Sequence, residues 1–162
     1  MKTDNLFDID GRVAVMTGAC GVLGETIAGY FAAQGCKVVL LDLEHTANKG
    51  LKIVSEIESG GGAAMFLPTD VLDENVLKAN LKTIMDEYGR IDILLNAAGG
   101  NMDKANVRPD QGIDELDIDA MKRVCELNIF GTVIPTKVFS KPMIAAGKGS
   151  VINFCSMSSF PE

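Results

Sequence analysis

The run Thr17-Gly18-Ala19-Cys20-Gly21-Val22-Leu23-Gly24 has the residue types that hold a phosphate through the backbone. A phosphate needs N–H donors at close range, and a Cβ would keep it away. Glycine removes the Cβ, and a helix N-terminus adds unpaired donors and a partial positive charge. About twenty residues further on, the apolar stretch Val38-Val39-Leu40-Leu41 ends in Asp42, the spacing a dinucleotide site requires of its ribose-binding acid. The Asp42 carboxylate can accept hydrogen bonds from both ribose hydroxyls of an adenosine and would repel a 2′-phosphate. Neither Arg nor Lys lies in the glycine turn, and Leu43-Glu44 follow Asp42. The pattern therefore favours NAD over NADP. The plainer alternative is that Asp42 is only a polar strand end that opens the next helix.

These residues need a strand–turn–helix frame, and the chain supplies one. Apolar Val13-Ala14-Val15-Met16 precedes the glycine turn, and Leu23, Ile27, Phe31 and Ala32 follow at helical spacing until Gly35. Strands are expected at about 12–17, 36–42, 63–67, 91–95 and 150–155. The helix after strand two uses Leu51, Val54 and Ile57. The one after strand three is capped by Asp73 and buries Leu77, Leu81, Ile84, Met85 and Tyr88. A loop covers about 99–112. A long helical segment over about 116–146 contains Pro135 and Pro142, which predicts a kink or a break. Strands two, four and five are continuous apolar runs, as in a parallel sheet covered on both faces. Regular alternation with right-handed crossovers gives a three-layer α/β, Rossmann-type, doubly wound parallel sheet, with residues 1–162 as one domain.

The 162 residues suffice for one sizeable core, and 47% are hydrophobic, which excludes a disordered chain. A net charge of −7 argues against a nucleic-acid partner. The N-terminus lacks the apolar core of a signal peptide, and no apolar run is long enough to span a membrane. Cys20, Cys36, Cys125 and Cys155 are widely spaced and read as reduced thiols of a cytoplasmic protein. His45, the single histidine, has no second ligand near it in sequence, so no metal site is expected.

Taken together, the glycine turn, Asp42, Asp70, Asn96-Ala97-Ala98-Gly99, Asn128 and Ser156 resemble the short-chain dehydrogenase/reductase family, over nearly the whole chain and in the family's order. Classical members usually carry glycine where Val22 stands, and glycines three apart are the spelling of extended members. The Asn-Ala-Ala-Gly segment is classical, and it decides for a classical member with a variant turn. Asn96 to Asn101, followed by Lys104, resembles the sugar-acid reductases of the mannonate or fructuronate type. The resemblance implies that Asp70 and Val71 contact the adenine, although Asp70 also suits a turn after Pro68. It implies that Asn96 steadies the central strands, that the adjacent backbone lines the cofactor cleft, and that Gly99 and Gly100 turn the chain close to the nicotinamide ribose. Asn128 would hold a water of the proton relay; read by itself, it is equally a solvent-facing Asn. Ser156 would orient the substrate carbonyl at the carboxyl end of strand five. Ser158 and Ser159 lie nearby, and any of the three could cap a helix instead.

The family's Tyr–Lys acid–base pair should begin about a dozen residues past Ser156 on the family's spacing, beyond Glu162. Tyr30 and Tyr88 lie on earlier helices without a lysine four residues later. Proton transfer beside the hydride acceptor needs such a pair. The expectation is therefore the N-terminal part of a longer enzyme, a homodimer or homotetramer when complete, that moves a hydride between NAD and a secondary alcohol or ketone. A non-catalytic NAD-binding module is the alternative, and a methyltransferase with a similar turn is opposed by the Asn-Ala-Ala-Gly segment. For a sugar-acid substrate, Asn101, Lys104 and Arg108 are candidate contacts, the two cations pairing with its carboxylate. The bland reading makes them solvated loop residues.

Overall fold

A computed structural model describes residues 8–155. Five parallel strands, β1 (Val13–Thr17), β2 (Lys37–Asp42), β3 (Ala64–Pro68), β4 (Ile93–Asn96) and β5 (Ser150–Asn153), form one sheet in the order β3-β2-β1-β4-β5. The helices are α1 (Val22–Ala33), α2 (Ala47–Ser59), α3 (Glu74–Tyr88), α4 (Ile118–Cys125) and α5 (Gly131–Ala145). Strand order reverses between β1 and β4, so the carboxyl ends of these two strands open a crevice where ligands of such sheets sit.

The strand period of two divides the core into two layers. Ala14 and Met16 of β1 face one layer with Ala28 of α1 and Ile53 and Ile57 of α2. Val13 and Val15 face the other, with Leu77 and Ile84 of α3 and Val138, Phe139 and Met143 of α5. All five β1 residues are buried, as two-sided coverage demands. At the amino end of the sheet, buried Asp92 accepts from the Val13 N–H at 3.0 Å and from Arg90 Nε at 2.7 Å. Burial pushes the Asp92 carboxyl up, but the Arg90 guanidinium and the Val13 N–H outweigh it and hold the group below the usual range. Helix α3 starts where expected: Asp73 accepts from the N–H groups of Asn75 (2.8 Å) and Val76 (3.2 Å).

Four expectations need correction. Leu51 is 58% exposed, and the buried face of α2 runs through Gly50, Ile53 and Ile57. A 3₁₀ turn at Glu44–Thr46 sets the helix phase, and Gly50 packs on Phe66 so closely that a Cβ would lie 2.2 Å from its ring. Leu23 is exposed, because the buried positions of α1 are Gly24 and Ala28. The long helix neither breaks nor stops at its prolines. A π turn at Glu126–Phe130 joins α4 to α5, and both prolines lie inside α5. Pro135 lacks the N–H that would reach the Gly131 carbonyl, so the register change falls one turn upstream of the proline. Finally, β5 stops at Asn153, two residues short of the expected end, and as an edge strand it is exposed along all four residues, not covered on both faces.

Candidate functional site

At the crevice, three glycines divide the work. Gly18 (φ 63°) adopts a left-handed turn, and a Cβ there would lie 2.7 Å from the Ala97 oxygen, so no other residue lets β1 and the β4 loop approach so closely. A Cβ on Gly24 would lie 2.5 Å from the Gly18 oxygen, which fixes how tightly α1 packs on the turn. Gly21 faces the cleft and caps α1 with extended backbone and no side-chain hydrogen bond. The first intrahelical bond runs from the Glu25 N–H to the Gly21 carbonyl at 3.0 Å, leaving the N–H groups of Val22, Leu23 and Gly24 without intrahelical partners. Val22 is 81% exposed, so the variant turn accepts its side chain without a clash.

The adjoining wall is the end of β2. Asp42 Oδ2 accepts from the Cys20 N–H at 2.8 Å and Oδ1 from the Leu43 N–H at 2.8 Å. A carboxylate has about four acceptor sites, so this one is fixed in place with capacity left for two more donors. The cleft has a volume of about 490 Å³, and Gly18, Cys20, Gly21, Asp42, Asp70, Val71, Ala97, Ala98 and Gly99 all line it. Backbone N–H groups with an acceptor-only carboxylate beside them suit a pyrophosphate joined to a ribose diol.

Other expected residues support the walls. Thr17 is fully buried and not a cleft residue. Its hydroxyl accepts from the N–H groups of Ala97 (3.2 Å) and Ala98 (3.1 Å), because the end of β1 faces the loop after β4. Asn96 donates to Thr136 Oγ1 at 2.9 Å and Asn153 Oδ1 at 2.8 Å, tying β4 to α5 and β5. Asp70 accepts from the Leu72 N–H at 2.9 Å, a turn role at the cleft rim. Asn128, in the π turn, donates to the carbonyls of Gly100 (2.7 Å) and Val124 (2.8 Å) and accepts from the Gly100 N–H at 3.2 Å. A Cβ on Gly99 would lie 2.6 Å from Asn128 Oδ1, so a glycine there lets the loop and helix meet.

A short-chain dehydrogenase family model matches residues 12–162. The chain belongs to the short-chain dehydrogenase family. It is 33% identical over 161 residues to the uncharacterized oxidoreductase UxuB of Bacillus subtilis (strain 168), covering 94% of this chain and 57% of that protein. It is 30% identical over 158 residues to D-threitol dehydrogenase of Mycolicibacterium smegmatis (strain ATCC 700084 / mc(2)155), covering 98% and 57%. A NAD-bound structure from Haemophilus influenza, provisionally named a D-mannonate oxidoreductase, superposes with a TM-score of 0.85 at 31% identity, covering 94% of this chain and 57% of that one. The chain thus spans somewhat over half the length of these relatives.

The structure places the candidate substrate cations outside the main cleft. Lys104 and Arg108 line a separate polar hollow of about 400 Å³ with Asp103, Asn106, Gln111, Glu115 and Asp117, and the two cavities share no lining residue. Arg108 lies 3.7 Å from Asp103. Asn101 spends its side chain locally, donating to Asn106 Oδ1 at 3.1 Å and accepting from the Met102 N–H at 2.8 Å. Ser156, Ser158 and Ser159 lie outside the described residues. The sequence reading missed Leu41, Leu43, Thr46, Thr69 and Leu127, which also line the main cleft. Only the burial of Leu41 was legible. Thr46 enters through the 3₁₀ turn, which a residue-by-residue pattern does not reveal. No helix among the described residues is long and apolar enough to cross a membrane.

Proposed function

We propose that the whole protein is an NAD-dependent oxidoreductase that moves a hydride between the nicotinamide and a secondary hydroxyl or keto group, with a sugar acid as substrate. The observation that carries this reading is the meeting, in one cleft, of the Gly18–Gly21 backbone and the fixed Asp42 carboxylate. The N–H groups of the first turn of α1 bind the pyrophosphate, and Asp42 accepts from the adenosine ribose hydroxyls. A 2′-phosphate would meet the same carboxylate, which is why NAD is preferred to NADP. Asp70 and Val71 border the adenine end. Ala97 to Gly99, held by Thr17 and Asn128, form the wall on which the nicotinamide half rests. When bound, NAD supplies hydride transfer at the nicotinamide ring. Ser156 orients the substrate carbonyl, and the tyrosine and lysine expected beyond it by family resemblance move the proton.

The sugar-acid assignment is supported by likeness to the Haemophilus protein provisionally named a D-mannonate oxidoreductase, whereas D-threitol dehydrogenase offers a neutral polyol. Turnover of a hexonate and of its neutral sugar alcohol, followed by NADH absorbance in the full-length enzyme, separates the two. Faster turnover of the acid is expected; equal rates would remove the carboxylate from the proposal. Binding of NAD without turnover of either substrate would favour a non-catalytic module.

A further inference from the structure

A lysine that the sequence reading passed over stands one helical turn from a wall residue of the main cleft. Thr46 lines the cleft, and Lys49 follows three residues later in the first turn of α2, so the two project from the same side of that helix start. A cation in the first turn of a helix is unfavourable, because the helix dipole is positive there. The structure compensates from outside the helix. Glu25, in the first turn of α1, places Oε2 2.7 Å from Lys49 Nζ. Both side chains are nearly half exposed, so the pair contributes little to stability. Its location is therefore its most informative property. It joins the two helix starts that flank Cys20 and Asp42, and Lys49 is the kind of group that a 2′-phosphate would use as its partner.

We propose that Glu25 is a specificity-determining residue: by holding Lys49 in an ion pair, it denies the cleft a cation that would otherwise admit a 2′-phosphorylated dinucleotide. The inference rests on the NAD reading above and deepens it. Asp42 repels the 2′-phosphate directly, and Glu25 removes the nearby charge that would offset that repulsion. The electrostatics agree. The Glu25 hydrogen bond holds the Lys49 ammonium above the ordinary lysine range, with Cys20 and Asp42 adding to the same direction. The Glu25 carboxyl is correspondingly lowered by Lys49. Cys20 feels Asp42, Lys49 and Glu25 together, so these groups share one electrostatic neighbourhood.

The test is a fluorescence titration of NADH and NADPH against wild type, Glu25→Gln, Lys49→Met and the double variant, with Glu25→Ala as a second release of the lysine and a thermal melt to confirm folding. Wild type should prefer NADH. Glu25→Gln should narrow the NADH/NADPH affinity ratio about three- to tenfold, the scale of one exposed charge-assisted contact, and the double variant should lose that gain. An NADH-selective wild type whose ratio is unmoved by Glu25→Gln and Glu25→Ala overturns the inference and leaves the cofactor reading intact. So does a gain that persists without Lys49, which would be a bare charge effect. A wild type that binds NADPH as tightly as NADH, or binds neither, overturns the cofactor reading and the inference with it.

Discussion

The Asp42 carboxylate does two jobs through different lone pairs. It anchors the glycine turn through the Cys20 N–H and offers its remaining acceptors to the cleft. Asp42→Ala should therefore weaken NADH binding about 10- to 100-fold, the range for hydrogen bonds to a charged group, while NADPH binding falls far less. A titration of both nucleotides checks this; equal losses would mean that Asp42 acts only by holding the turn. The cysteines separate by environment. Burial pushes the Cys36 thiol up to about 11, against a hydrogen bond from the Ala14 backbone that lowers it, whereas Cys125 is exposed. A raised pKa leaves the unreactive thiol form in place at neutral pH. Mass spectrometry after brief alkylation at neutral pH should find Cys125 modified and Cys36 intact; prompt labelling of Cys36 would contradict its place in the core.

The elements were legible wherever burial imposes one period, and illegible where a small residue hides the phase. Strands β1, β2 and β4 and the Asp73 cap were readable because two-sided burial makes those strands continuous apolar runs and because a cap needs a short acceptor at one position. Helix α2 was misphased because Gly50 has no side chain to mark the buried face, yet it is the point where the helix rests on Phe66. The π turn was invisible for a related reason: the prolines are plain in the sequence, but the register change they favour falls on Glu126–Phe130, upstream of them. That turn presents Asn128 to the loop after β4, so helix geometry and cleft wall are mechanically joined. Asn128→Ala should release the Gly100 N–H. Hydrogen exchange should show its protection fall by about fivefold or more, consistent with loss of roughly 1 kcal/mol of hydrogen bonding, with β1 amides unaffected. An unchanged Gly100 rate would deny the latch.

At the scale of the whole molecule, the sheet has a functional carboxyl end and a structural amino end. Asp92 pins β1 to Arg90 at the amino end, and its folded-state pKa lies below the ordinary aspartate value. A depressed carboxylate contributes stability that is fully present above its unfolded pKa and is lost as pH falls through the folded one. Asp92→Asn should cost about 1–3 kcal/mol near neutrality, and the urea midpoints of variant and wild type should converge below about pH 4. A gap that persists in acid would assign the effect to packing. Glu74, pulled down to about 2 by its hydrogen bonds from Lys137 and Lys78, joins α3 to α5. The carboxyl end carries the central claim, that the Gly18–Gly21 turn and Asp42 form one NAD site at the reversal of strand order. A crystal structure grown with NADH tests it most directly. The account predicts the adenosine ribose hydroxyls on the Asp42 carboxylate and the pyrophosphate over the first turn of α1. A nucleotide bound anywhere else, or turned so that its ribose misses Asp42, would contradict it.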